Sequence, residues 1–181
     1  TATQPAFTNR NNFKGISDVK ELISHPEKLY KKLSRVKYDL RYIDKKISWN
    51  KVADIMLQDK QSLTVVNTKD NAKELFSILN RRVNTENVYH LSTYMCPEHR
   101  TLILDEIKKR LNNEQRCYLV STQLIEAGVD IDFPIVLRAM APLDSIVQAA
   151  GRCNREDKLD KGRVIVFTPE ENSLPKGIYK T

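Results

Sequence analysis

Short β-branched runs alternate with amphipathic helical patterns along most of this sequence. The apolar runs TVV, YLV, IVL and VIV have the length of buried strands. Helical patterns separate them, as in DNAKELFSILNRR, where Ala72, Leu75, Phe76 and Leu79 share one face. Repeated strand–helix units restrict the fold to the α/β class, with a mostly parallel sheet and helices on both of its faces.

The same patterns predict individual elements. Strands are predicted at residues 36–43, 62–67, 87–92, 116–122, 135–140 and 162–168. Helices are predicted at residues 48–58, 70–82, 97–111 and 143–151, with an earlier one at about 18–33. Ser48 is a candidate N-cap, and Pro97 suits the first turn of its helix. The polar first 35 residues are expected to be an entry or linker segment.

The chain has 181 residues, enough for one domain with a substantial core. Its formal charge is +7, and residues 1–50 carry +6 of it, with 11 Lys and Arg against 5 Asp and Glu. A basic balance is compatible with a polyphosphate partner and equally with an ordinary solvated surface. Because the sequence begins with Thr1 and not Met, we expect it to be part of a longer chain.

Several classes of protein are disfavoured by composition. No apolar run approaches the roughly 20 residues of a membrane helix, and no secretory leader is visible, so no membrane partner is expected. The three cysteines are odd in number and form no CxxC, and the histidines have no metal-ligand spacing. We therefore expect neither a disulfide framework nor a metal site, and a cytoplasmic location.

Polar residues follow two of the predicted strands. Asn67 and Thr68 come at the end of strand 62–67, and Ser121 and Thr122 at the end of strand 116–122. Loops at the carboxyl ends of parallel strands carry ligand sites, and hydroxyls at a helix start can contact phosphate. The alternative is that these residues only cap the helices that follow.

The stretch STQLIEAGVDI continues from the second of these loops. Gly128 permits a close turn, and Asp130 could then accept from a sugar hydroxyl. The alternative is a capped helix that ends in a glycine turn.

The stretch QAAGRCNR places Arg152 directly after Gly151 and Arg155 one turn later. An arginine keeps its charge, and two guanidinium groups held close together repel each other, so an anion is expected nearby. The alternative is weak surface pairing with Glu156, Asp157 or Asp160.

Three absences are informative. The chain has no G-K-[ST], no DE-x-H or DE-x-D motif, and no His-Asp pair. It cannot therefore hold magnesium and a triphosphate unaided in the usual way. Phosphate-contact loops combined with paired arginines fit a domain that contributes half of a shared site.

TQLIEAGVDI followed by QAAGRCNR resembles motifs V and VI of superfamily 2 helicases. VYHLSTYMCPEHR, VSTQLIEAGVDIDFPIVLRAMAPLDSIVQAAGRCNRE and LPKGIY resemble, more closely, the CRISPR-associated helicase-nuclease of type I systems. TAT at the start of the chain is similar to motif III. The resemblance implies that residues 1–35 hold a motif III remnant and linker. It also implies that residues 36–181 form the second RecA-like helicase domain, which lacks its own P-loop.

The resemblance also implies roles for the candidate residues. Those implied to bind the phosphates of the tracked strand are Asn67, Thr68, Ser121 and Thr122. Those implied to meet the nucleotide sugar are Gly128 and Asp130. Those implied to act on the γ-phosphate are Gln148, Arg152 and Arg155, with Arg155 as the main arginine finger. Ala149 and Asn154 depart from the general helicase pattern, which has Arg and Gly at these positions.

The function implied by the resemblance is that of a motor domain in an ATP-dependent 3′–5′ single-stranded DNA translocase of CRISPR interference. ATP and Mg²⁺ would be bound mainly by the first RecA-like domain, so the isolated chain is expected to be inactive. The implied partners are single-stranded DNA, that first domain, an HD nuclease domain and the CRISPR surveillance complex. The alternatives are another superfamily 2 DNA or RNA helicase, or a non-catalytic nucleic-acid-binding module of this fold.

Overall fold

The computed structural model describes residues 33–126 and 128–170, together with Lys14, Gly15, His25 and Lys28. The elements given below all lie in one compact unit, Arg35–Thr181. The TAT and LPKGIY stretches and nearly all of the predicted helix at 18–33 lie outside the described residues. The division between residues 1–35 and 36–181 stays a prediction.

Six strands and four α-helices alternate through the described part of the chain. The strands are β1 Val36–Ile47, β2 Gln61–Val65, β3 Val88–Leu91, β4 Cys117–Ser121, β5 Ile135–Ala139 and β6 Gly162–Pro169. The helices are α1 Trp49–Met56, α2 Lys69–Arg82, α3 Pro97–Asn112 and α4 Leu143–Ala150. Short 3₁₀ turns lie at Thr85–Asn87 and Gln123–Ile125.

The strands form one sheet in the order β1-β6-β5-β2-β4-β3, and every pairing is parallel. Strands β1 and β3 lie at the two edges of the sheet. From β2 the chain continues to β3 on one side, and from β5 it continues to β6 on the other, so the connections diverge between β2 and β5. This is the point in an open α/β sheet where the strand order reverses and ligands bind beyond the carboxyl ends of the strands. The predicted α/β fold with a parallel sheet is confirmed.

Two hydrophobic cores cover the two faces of the sheet. One contains the buried faces of α1 and α2, including Trp49, whose ring meets Phe167 edge-on at 6.1 Å. The other contains Ile107 of α3 and Ala149 of α4. Helices therefore lie on both faces, as the alternating pattern predicts. Within residues 33–126 and 128–170, no helix combines the length and apolarity needed to cross a bilayer.

The ends of the elements differ from the predictions by a few residues. Strand β1 continues to Ile47 because its pairing with β6 contains two register shifts, which carry the ladder past the charged residues 44–46. Helix α1 begins after Ser48, whose Oγ accepts from the Lys51 amide at 3.3 Å, and ends at Met56. Strand β2 ends at Val65, which leaves Asn67 in a loop.

Candidate nucleic-acid and nucleotide interface

Three loops come together at the carboxyl edge of β2, β4 and β3. The Val66 amide donates to the Ser121 carbonyl at 2.9 Å, and the Thr122 amide donates to the Leu91 carbonyl at 3.3 Å. These bonds extend the strand pairing by one residue and align the loops side by side. The edge therefore brings together the four residues predicted to contact nucleic-acid phosphates.

The Asn67 side chain is buried and bonded at both ends. Its Nδ2 donates to the Met140 carbonyl at 2.8 Å, and its Oδ1 accepts from Arg138 Nη1 at 2.8 Å. These bonds tie the loop after β2 to β5 and to the residue that follows it. The amide of Asn67 thus holds the edge loop in place, which sequence reasoning did not indicate.

The two threonines at this edge differ in how their hydroxyls are used. Thr68 Oγ1 accepts from the Asn71 amide at 3.2 Å and caps α2. Thr122 occupies the equivalent position before the 3₁₀ turn Gln123–Ile125, but its side chain makes no capping hydrogen bond. The helix-capping alternative therefore describes Thr68 and does not describe Thr122.

Ser121 is fully buried, and its hydroxyl points into the protein. Its Oγ donates to the Leu91 carbonyl at 3.1 Å, which links β4 to β3. Of the neighbouring pair, Thr122 is thus the residue whose hydroxyl is not committed to the strand ladder.

Residues 121–131, the motif V segment, run from the carboxyl end of β4 to the approach to β5. Gly128 has φ of +72°, in the left-handed region that favours glycine. Asp130 follows with a side chain that is 78% exposed. The alternative of a capped helix that ends in a glycine turn differs from the described residues, in which Gln123–Ile125 form a 3₁₀ turn and the Thr122 side chain makes no cap.

Arg152 binds the backbone of the motif V segment. Its Nε donates to the Ile125 carbonyl at 2.9 Å and its Nη2 to the Glu126 carbonyl at 2.8 Å. Burial lowers the pKa of its guanidinium, and the positive charge of Arg155 lowers it further, while Asp130 opposes the shift. Arg152 thus clamps the segment with two charge-assisted hydrogen bonds.

Arg155 has a side chain that is 41% exposed, and its Nε lies 3.3 Å from Asp130 Oδ1. Its amide donates to Asp132 Oδ1 at 2.7 Å, and the next amide, that of Glu156, donates to Asp132 Oδ2 at 3.1 Å. The backbone of Arg155 is therefore anchored while its guanidinium remains accessible. Neither Arg155 nor Arg152 forms an ion pair with the acidic residues that follow in the sequence.

Asn154 stands where the general helicase pattern has Gly, and the structure gives the reason. Its φ is +46°, a conformation that Asn tolerates better than most residues. Its buried amide donates to the Arg35 and Leu159 carbonyls at 3.0 and 2.8 Å and accepts from the Leu159 amide at 2.9 Å. Asn154 therefore permits the turn and also ties together the loop that presents Arg155.

Gln148 and Cys153, two further residues of QAAGRCNR, are partly or fully buried. Gln148 is half-buried on α4. Cys153 is buried, and burial raises the pKa of its thiol to about 12, so it is a neutral packing residue and not a nucleophile. The start of β6 lies against it, since a Cβ added at Gly162 would come within 2.6 Å of Cys153 Sγ.

Arg138 and Glu126 form a buried ion pair that sequence reasoning missed. Arg138 Nη2 lies 3.1 Å from Glu126 Oε1, with exposed side-chain fractions of 0% and 8%. Burial raises the pKa of the Glu126 carboxyl, while Arg138 and a hydrogen bond from the Ser145 hydroxyl oppose the rise. The available signal was an arginine inside the apolar strand IVLRAM, since a buried charge requires a partner.

The pair connects several parts of the site. Glu126 belongs to the motif V segment, Arg138 to β5 and Ser145 to α4, and Arg138 also holds the Asn67 amide. In the part of the chain that is described, no group of three or more His, Cys, Asp and Glu could hold a metal ion. Arg155 is an exposed cation of this site, and a guanidinium is a group that binds anions.

Comparison with known proteins places this site in a family. The family model for the C-terminal part of the CRISPR-associated nuclease/helicase Cas3 matches residues 58–158. The Cas3 protein of Haloferax volcanii is 45% identical over 88 residues, which are 46% of this chain and 9% of that protein. The Cas3 protein of Methanothermobacter thermautotrophicus is 33% identical over 117 residues, which are 62% of this chain and 14% of that protein.

Solved structures share the fold. The ADP complex of T. fusca Cas3 matches with a TM-score of 0.63 at 20% identity, over 79% of this chain and 20% of that one. The Mycobacterium smegmatis helicase Lhr bound to single-stranded DNA and AMP-PNP matches with a TM-score of 0.57 at 18% identity. The match covers 75% of this chain and 20% of that one. The sheet described here is thus a RecA-like α/β fold. The chain spans a small part of the relatives it matches, and it belongs to the Cas3-like family, in which it corresponds to the C-terminal helicase region.

Proposed function

We propose that this chain is the second motor domain of an ATP-dependent helicase that moves 3′ to 5′ along single-stranded DNA in CRISPR interference. The observation that carries the proposal is the path of the motif V segment, which joins two clusters. One is the edge of Thr68 and Thr122, and the other is the arginine cluster of Arg152 and Arg155. A motor has to couple its DNA-binding site to its nucleotide site. A continuous segment that is bonded to both sites can carry this coupling.

In this proposal the edge loops hold the phosphates of the tracked strand. Thr122 donates its uncommitted hydroxyl, and Thr68 contributes the start of α2, where backbone amides favour an anion. Asn67 and Ser121 hold the loops in the conformation that presents these groups. Such backbone contacts give affinity without sequence preference.

The nucleotide would be held mainly by a first RecA-like domain, with Mg²⁺, because the chain has no P-loop and no acidic magnesium motif. Its own residues fit an accessory role. Arg155 provides a planar cation for the charge that spreads over the γ-phosphate oxygens, and Gly128 and Asp130 face the sugar. Gln148 lies on the helix that leads to Arg155, and Arg152 transmits the position of that helix to the motif V segment.

The proposed partners are single-stranded DNA, the first RecA-like domain, an HD nuclease domain and the CRISPR surveillance complex. Their support is the membership of this chain in a family described as a CRISPR-associated nuclease/helicase. The isolated chain should hydrolyse ATP negligibly, since it would supply only the arginine side of the site.

The test uses the full-length protein and duplexes with a single-stranded 3′ or 5′ tail. We expect ATP hydrolysis that single-stranded DNA stimulates, and displacement of duplexes with a 3′ DNA tail. Equal displacement from 5′ tails would refute the direction, and stimulation by RNA alone would indicate an RNA helicase. Binding of DNA without any ATP hydrolysis would support the alternative of a non-catalytic nucleic-acid-binding module.

A further inference from the structure

Tyr94 lies in the loop that follows β3, beside the edge at Thr68 and Thr122 that is proposed to bind the DNA strand. Its exposed fraction is 80%, the largest among the exposed large hydrophobic side chains of the described residues. The Met95 amide donates to the Ser92 carbonyl at 3.2 Å and closes the turn that presents it. A tyrosine ring displayed on a defined turn offers an apolar face with a polar tip, a combination that is enriched at binding interfaces.

One side of the ring is occupied by a cation. Lys69 Nζ lies 3.4 Å from the centre of the Tyr94 ring. Lys69 is the first residue of α2 and directly follows Thr68. The contact therefore fixes the ring near the start of α2, while the high exposure of Tyr94 leaves its other side open to solvent.

The loop that carries Tyr94 begins next to the predicted phosphate contacts. Leu91, the last residue of β3, accepts hydrogen bonds from the Ser121 hydroxyl at 3.1 Å and from the Thr122 amide at 3.3 Å. The next residue, Ser92, has a buried hydroxyl without a hydrogen-bond partner in the described part of the chain.

This combination has a definite chemistry. Hydroxyls and helix-start amides suit phosphate oxygens, whereas an open aromatic face suits a nucleobase, and every base has a face that can stack. The base must be unpaired, because a base inside a duplex is already stacked on both sides. A cation on the far side of the ring strengthens the platform through its field and can also attract the strand.

We propose that Tyr94, supported by Lys69, is a stacking platform for one unpaired base of the strand whose phosphates bind at the edge formed by Thr68 and Thr122. The platform makes the domain select single strands over duplexes, without reading their sequence. This inference rests on the proposed function, since it assigns a base contact to the same bound strand.

The experiment measures binding by the full-length protein of two single-stranded probes of equal length, an oligothymidylate and an oligomer of abasic nucleotides. Tyr94→Ala should weaken oligothymidylate binding about 5- to 150-fold, the range for loss of one stacked base. The abasic oligomer should bind equally to the wild-type protein and to Tyr94→Ala. Tyr94→Trp should bind oligothymidylate at least as tightly as the wild type.

Tyr38→Ala is the matched control, because Tyr38 is another exposed tyrosine and lies on β1 at the far edge of the sheet. It should bind both probes as the wild type does. Unchanged oligothymidylate binding in Tyr94→Ala, with weakened binding in Thr122→Ala, would overturn the platform and leave the proposed function intact. Equal loss on both probes would show that Tyr94 acts on the backbone contacts and would also overturn it. Failure of the wild-type protein to bind either probe would overturn both proposals.

Discussion

Arg155 lies 3.3 Å from the Asp130 carboxylate at the surface, whereas Arg152, three residues earlier, points inward to the carbonyls of Ile125 and Glu126. Two arginines of one short motif thus have different surroundings. The Arg155 guanidinium can leave Asp130 and bind an incoming phosphate at little cost in free energy, because an exposed ion pair contributes only about 0–1 kcal/mol. The inward one cannot leave without freeing the motif V segment.

Arg155→Lys tests the exposed arginine, since it keeps the charge and removes the planar fork. In the full-length protein, DNA-stimulated ATP turnover should fall roughly 10³-fold, which is the lower end of the effect of losing an arginine finger. ATP binding should change little, because a lysine keeps the positive charge. Steady-state ATPase assays at saturating single-stranded DNA, beside nucleotide titrations, measure both.

Arg163→Lys is the control for Arg155→Lys. Arg163 is 42% exposed and pairs with Asp59 at 2.8 Å, so it is a surface ion pair of similar exposure. It should keep wild-type turnover. If Arg155→Lys also kept it, the role of Arg155 would be limited to its surface pair with Asp130.

Arg152→Lys should loosen the motif V segment. A lysine cannot span the two carbonyls that Nε and Nη2 reach, and each hydrogen bond from a charged donor contributes about 1.5–3 kcal/mol. Amide hydrogen exchange of the motif V segment in the full-length protein should become faster, and DNA stimulation of the ATPase should weaken. Arg155→Lys should leave this exchange unchanged, and equal exchange in both variants would contradict the clamp.

Thr122→Ala should reduce DNA stimulation of the ATPase without a change in stability, because the Thr122 hydroxyl makes no capping bond. Ser48→Ala is the comparison, since the Ser48 hydroxyl does cap α1. That variant should lose about 0.5–2 kcal/mol of stability and keep its DNA response. Amide hydrogen exchange measures the stability of both variants, and ATPase assays with and without DNA measure their DNA stimulation. A destabilised Thr122→Ala protein with normal DNA stimulation would return Thr122 to a structural role.

Arg138→Met should destabilise the domain by about 3–5 kcal/mol, because it leaves the Glu126 carboxyl buried without its cation. Combining it with Glu126→Leu should restore much of that stability, since a buried pair can be replaced by apolar residues. The readout is the slowest amide exchange in β5. DNA stimulation should stay reduced in the double variant, because Asn67 Oδ1 loses its donor. Full recovery of DNA stimulation would show that the pair only supports the fold.

The local pattern of the chain determined its elements. The β-branched runs and the helical spacing of Ala72, Leu75 and Leu79 predict strands and helices on their own, because each pattern reports which face is buried. Their alternation predicts a parallel sheet, and the polar residues after two strands predict an edge with ligand-binding groups. The resemblance to helicase motifs V and VI also predicts that Thr122 and Arg155 belong to one functional unit.

Tertiary structure decided which atoms remain available at that edge. Ser121 and Thr122 are adjacent hydroxyl residues, yet one donates to Leu91 and the other makes no capping bond. Arg152 and Arg155 are equally charged, yet the carbonyls of the 3₁₀ turn engage only the first of them. These partners lie about 30 residues away in the chain, and the burial of Arg138 against Glu126 likewise exists only after β5 has packed. Hydrogen-bond commitment is set by non-local packing, so sequence could name the candidates and only the fold could assign their roles.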